Sequence, residues 1–189
     1  MRIVDVESDV SLAGRFFEQG VGQFTIIVKG VGENQAPPTT IDRCILRGGF
    51  ISAGRRRIGN VVALELARHG YAVSLHYNSS RKGAEETVTR LQDEGADAAC
   101  FQADVSQEDQ VERLFGQHLD RFGRLDLLVT TAAIWEPHPL EDTTAEHVRR
   151  HFEINALGSF LCCQRGGLIM VGQPEGGSIV TVGDWANVR

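Results

Sequence analysis

From about Ile45 onward, strand-like and helix-like stretches alternate, and this alternation constrains the fold more than any other feature of the chain. An apolar stretch ending at Ile51-Ser52 runs into a glycine- and arginine-rich loop, Ala53 to Gly59. Asn60 to His69 then sets Val61, Leu64 and Ala67 at helical spacing, and Gly70 is expected to close that helix. Tyr71 to Tyr77 reads as a strand, Arg81 to Glu94 as a charged helix stopped by Gly95, and Ala98 to Gln102 as a strand. Ser106 is expected to cap a helix running to about Phe122, with Glu108 and Asp109 favouring its positive end. Leu125 to Thr130 is apolar enough for a buried parallel strand. Thr144 is expected to cap a long helix reaching about Gln164, and Ser178 to Val182 reads as one more buried strand. About five strands separated by helices imply an α/β class, a doubly wound parallel sheet with right-handed crossovers. An all-α bundle or a sandwich would not produce this alternation.

Residues 1–42 stand apart. They hold a strand-like run from Phe24 to Val28 and a Gly/Pro-rich stretch from Gly30 to Pro38, but no chemical motif. They are read as an N-terminal extension of unknown role, ahead of one domain over 43–189. A formal net charge of −6 argues against a general nucleic-acid binder, which would normally carry a basic excess. Cys44, Cys100, Cys162 and Cys163 match no zinc spacing, and two of them are adjacent, so free thiols in a reducing compartment are expected. The start, MRIVDVESDV, is acidic and lacks the apolar centre of a secretory signal. No apolar run in the sequence reads as long enough to span a membrane. The expectation is therefore a cytoplasmic protein with no membrane partner. His147 and His151 share a helix face, but no third ligand stands with them, so no metal is expected.

In doubly wound sheets, ligands bind beyond the carboxyl ends of the strands, near the point where strand order reverses. The first strand-to-helix loop, Ser52-Ala53-Gly54-Arg55-Arg56-Arg57-Ile58-Gly59, is placed for that work. Backbone N–H groups at the helix start and the positive end of its dipole favour an anionic pyrophosphate. Gly59 permits close approach of backbone to phosphate or of helix to strand. A Rossmann site for NAD expects an acidic residue near the end of the second strand, for the ribose 2′-hydroxyl. Here that end reads Asn78-Ser79-Ser80, with Arg57 across the cleft. Hydroxyl donors and a guanidinium complement a 2′-phosphate, so NADP(H) is the expected cofactor. The same three residues also suit the cap of the next helix.

With these landmarks, residues from about Arg43 to Arg189 resemble the short-chain dehydrogenase/reductase family. Ser52 to Gly59 looks like the family's Thr-Gly-x-x-x-Gly-x-Gly loop in an arginine-bearing form, with Ser52, Gly54, Arg56, Arg57, Ile58 and Gly59 as cofactor contacts. Asp104-Val105 matches the Asp-hydrophobic pair that contacts adenine. Thr130-Thr131-Ala132-Ala133 occupies the place of the Asn-Asn-Ala-Gly motif, which assigns Thr131, Ala132 and Ala133 to the cofactor. Asn155 matches the helix asparagine of the catalytic tetrad, and Asp184 falls at the position of the catalytic serine. Ala53 stands where the first loop glycine is usual, and two threonines replace two asparagines. The aspartate at the serine position, the Arg-rich loop and the His-Tyr-x-x-Ser strand end are nearest the pteridine-reductase-like branch.

The resemblance implies hydride transfer to the carbonyl or imine of a small molecule. In that scheme a tyrosine of ordinary pKa about 10 acts as general acid with help from a neighbouring lysine. The family's Tyr-x-x-x-Lys lies beyond the serine position, whereas Tyr71 and Tyr77, this chain's only tyrosines, lie in the cofactor half. The expectation is therefore a Rossmann sheet incomplete on its C-terminal side, truncated before that motif, and inactive as such. A non-catalytic nucleotide-binding or regulatory module is the alternative. The family's habits imply a homo-oligomer, a dimer or tetramer, for the complete protein.

Overall fold

A computed structural model of the chain describes residues 25–31, 43–47 and 58–183. Its strands are β1 (Thr25–Val31), β2 (Arg43–Arg47), β3 (Ala72–Tyr77), β4 (Ala98–Gln102), β5 (Leu127–Thr130) and β6 (Gly177–Gly183). They form one sheet in the order β1-β6-β5-β2-β3-β4. Every pairing from β6 to β4 is parallel, whereas β1 runs antiparallel to β6, from Thr25 opposite Gly183 to Val31 opposite Gly177. The helices are α1 (Ile58–Arg68), α2 (Arg81–Asp93), α3 (Glu108–Phe122) and a long one in three parts: α4 (Ala145–His151), a π-helical segment (Phe152–Leu157) and α5 (Gly158–Val171).

The α/β class expected from the pattern is the one found, with one addition. The sequence reading has about five parallel strands; the structure adds a sixth, antiparallel, from the N-terminal extension. Its residues, TIIVKGV, include a run of β-branched side chains suited to a strand. Along the edge of β6 away from β5, β1 pairs the backbone N–H and C=O groups.

The strands sort the core onto two faces because their side chains alternate. On β5, Leu127 and Val129 pack with Ala63 and Leu66 of α1 and Leu91 of α2. Leu128, between them, packs with Phe115 of α3 and with Leu161 and Met170 of α5. All four β5 residues are buried, as expected for a central parallel strand. Gly166 lets α5 settle directly on this strand, since a Cβ there would lie 2.8 Å from Leu128 Cδ2. Gly70 and Gly95 end α1 and α2 with φ of 85° and 88°, the left-handed backbone that favours glycine.

Four local expectations need correction. Ser106 does not cap α3; Gln107 holds that position, and the Ser106 N–H and hydroxyl both donate to Asp104 Oδ1 at 3.0 and 2.7 Å. A short-range turn around the aspartate has outcompeted the cap. β5 starts at Leu127 rather than Leu125, because the Gln173 side-chain amide takes both the N–H and the carbonyl of Leu125, at 2.8 and 2.9 Å. The long helix continues past Gln164 to Val171. Gly166 and Gly167 weaken it intrinsically, and packing on the sheet overrides that weakness. Finally, Ala145–Val171 is, by length and composition alone, apolar enough to cross a membrane. Its Leu161, Cys162 and Met170 are nonetheless buried in the α3–α5 cluster against the sheet.

Candidate cofactor-binding site

Strand order reverses between β2 and β5: β3 and β4 continue to one side, β6 to the other. Loops leaving the carboxyl ends of strands diverge at such a point and leave a crevice. A cavity of about 280 Å³ opens there. The start of α1 supplies one wall with Gly59, which is buried, and Asn60. The first N–H groups of a helix have no intrahelical partner, and the dipole is positive at that end, so this wall attracts an anion. Ile58 opens α1, while Ser52, Gly54, Arg56 and Arg57 lie outside the described residues.

The end of β3 forms the second wall, where Tyr77 leads into Asn78, Ser79 and Ser80. Gln102 Nε2 donates to the Asn78 carbonyl at 2.9 Å and ties this turn to β4. Ser80 occupies the N-cap of α2 but makes no side-chain capping bond. No carboxylate stands in Asn78–Ser80 or in the first turn of α2, where Arg81 and Lys82 follow instead. The Arg81 guanidinium donates to Glu85 at 2.7 Å, and that bond raises its already high pKa.

Beyond β4, Asp104 and Val105 form the third wall. Val105 is buried in the α3–α5 cluster and fixes the turn, while the Asp104 N–H is held by Gln110 Oε1 at 2.8 Å. The fourth wall is the segment after β5: Ala132, Ala133, Ile134 and Glu136. Thr131 is buried and is not among the lining residues. Asn155 faces this segment from the π-helical part of the long helix. Its Oδ1 accepts from the Ile134 N–H at 2.8 Å and its Nδ2 donates to the Ile134 carbonyl at 3.0 Å. The asparagine thus joins the helix to the wall as a strand partner would. Asp184 follows the last described residue, Gly183 of β6, and lies outside the described residues.

The structure therefore brings Gly59, Asn78–Ser80, Asp104-Val105 and Ala132-Ala133, expected residues from four separate segments, around one cavity. A family profile described as enoyl-(acyl carrier protein) reductase matches residues 52–188. The chain belongs to the short-chain dehydrogenase/reductase family. An uncharacterized oxidoreductase of Methylorubrum extorquens is 37% identical over 132 residues, covering 70% of this chain and 52% of that protein. A trihydroxynaphthalene reductase of Colletotrichum orbiculare is 33% identical over 135 residues, covering 67% of this chain and 48% of that one. A solved short-chain dehydrogenase from Burkholderia cenocepacia, in complex with NADP, superposes with a TM-score of 0.61 at 26% identity. That match covers 68% of this chain and 50% of the solved one. The chain thus spans about half the length of these curated relatives.

The lining residues of this short-chain dehydrogenase/reductase that were missed in the sequence include Glu136, Arg150 and Ile154. Arg150 and Ile154 sit four apart and share a face with each other, but stepping by three or four from Asn155 reaches neither, so helical periodicity could not nominate them. Glu136 carried no signal, since its place follows from an irregular segment. The Arg150 guanidinium meets the Glu136 carboxylate with two contacts of 3.4 Å.

Proposed function

We propose that this chain binds NADPH and forms the cofactor half of a reductase that transfers hydride to the carbonyl or imine of a small molecule. The observation that carries this reading is the carboxylate-free end of β3 beside the start of α1 at the strand-order reversal. The N–H groups opening α1 bind the pyrophosphate, and the amide and hydroxyls of Asn78, Ser79 and Ser80 suit a 2′-phosphate. Arg56 and Arg57, which immediately precede α1 in sequence, add positive charge. The Asp104 carboxylate can accept from an exocyclic amine of adenine, and the small side chains of Ala132 and Ala133 leave room for a flat ring. NADPH, when bound, supplies the hydride. Asn155 braces the wall through Ile134, and Asp184 is assigned to orienting the substrate. Relatives named as reductases support the reaction class, and the aspartate at the serine position, the Arg-rich loop and the His-Tyr-x-x-Ser strand end support a chain nearest the pteridine-reductase-like branch.

The second reading is a nucleotide-binding module without turnover. Both readings share the cofactor and a cytoplasmic setting. Titration with NADPH and NADH tests them together. Tighter binding of NADPH, with no carbonyl reduction by these 189 residues alone, is the expected outcome. Equal affinities, or a preference for NADH, would remove the 2′-phosphate assignment.

A further inference from the structure

We infer that His151 is a positioning residue that latches the wall of the cofactor cavity and releases it on protonation. Its Nδ1 lies 2.8 Å from the carbonyl of His147, one turn back on the same helix. A carbonyl can only accept, so Nδ1 carries the hydrogen, and in the neutral ring Nε2 keeps a lone pair. That lone pair accepts from the backbone N–H of Glu136 at 3.2 Å. Glu136 lines the cavity, and the residue two before it, Ile134, is the one held by Asn155. The helix thus fastens Ile134–Glu136 at two points one helical turn apart, and only the His151 point can titrate. A protonated imidazole bears hydrogens on both nitrogens, so Nε2 would present an N–H to the Glu136 N–H and the bond would be lost. Charged and titratable groups on the two segments that meet at His151 include His147 and Arg150 on its own helix and Glu136 and His138 on the facing segment. Arg150 pairs with Glu136, and the His138 ring stacks on His147 with centroids 3.9 Å apart.

The inference rests on the cofactor reading above, because cofactor affinity is its readout. The latch holds at high pH and opens as pH falls, so NADPH should bind more weakly in acid. The 2′-phosphate of NADPH also titrates, with a pKa of about 6, and the wild-type curve alone is therefore not diagnostic. The test compares the NADPH dissociation constant of the wild-type chain with that of His151→Gln from pH 8 to pH 5.5. The glutamine carbonyl can accept from Glu136 and does not titrate. Wild type should lose about fivefold more affinity than the variant, the scale of one neutral hydrogen bond. Parallel curves would overturn the latch while leaving the cofactor reading intact. No binding by wild type at pH 8 would sink both. Nitrogen-15 histidine spectra of the wild type at pH 8 give a check that needs no variant. They should show His151 protonated at Nδ1, and a hydrogen at Nε2 instead would contradict the latch.

Discussion

At the scale of single residues, the side-chain amide of Asn155 is engaged on both sides, Oδ1 with the Ile134 N–H and Nδ2 with the Ile134 carbonyl. Truncating it leaves a backbone donor and acceptor of a partly buried segment without their partners. Asn155→Ala is therefore expected to cost about 1–3 kcal/mol of stability and to weaken NADPH binding by loosening the Ala132–Ile134 wall. Thermal unfolding and the NADPH dissociation constant measured side by side check this. An unchanged melting temperature with unchanged affinity would show that the pairing contributes nothing. The sequence marked Asn155 as important through its motif, but not the partner that explains it. Ile134 is an unremarkable aliphatic residue in a loop, and its backbone role has no sequence signature. Cys100 is the converse case. A cysteine in the middle of a strand says little in sequence, yet burial, aided by Glu85, pushes its thiol pKa up and disfavours the reactive thiolate.

At the scale of elements, the long helix does two jobs on two sides. One side buries Leu161, Cys162 and Met170 against the sheet. The other leaves Val148, Phe152, Phe160, Leu168 and Val171 exposed, each by more than half of its surface. We propose that this apolar surface carries the self-association that the family resemblance leads one to expect of the complete protein. Phe160→Asp is expected to lower the average mass seen by light scattering at a given concentration, with an unchanged far-UV spectrum. A wild-type chain that stays monomeric at high concentration would contradict the proposal. The start of the helix was legible because Thr144 accepts from the His147 N–H at 3.3 Å, as a capping residue should. Its end was not, because the closeness that holds Gly166 on Leu128 is a tertiary fact. The π-helical segment around Asn155 was equally invisible to a 3.6-residue period. Strands β3 and β4 could be read almost to the residue, since each is short, apolar and bounded by glycine or polar turns. The antiparallel strand β1 could be read as a strand but not placed, because its partner β6 comes from the other end of the chain.

At the scale of the whole molecule, the site follows from topology more than from any single motif. Residues from α1, the end of β3, the turn after β4 and the segment after β5 are scattered in sequence, and the strand-order reversal gathers them. The sequence could supply part of all four walls, through glycines, hydroxyls, the Asp104-Val105 pair and Ala132-Ala133. The Glu136–Arg150 part of the fourth needed the fold, because those two residues are distant in sequence and meet only in the folded chain. We propose that the dinucleotide binds in this gathered cavity. Hydrogen–deuterium exchange with and without saturating NADPH addresses it directly. Slower exchange is expected at the start of α1, from Tyr77 through Gly83, at Val105, and from Ala132 to Glu136, with little change along α3. Protection confined to other surfaces, or none at saturation, would contradict it.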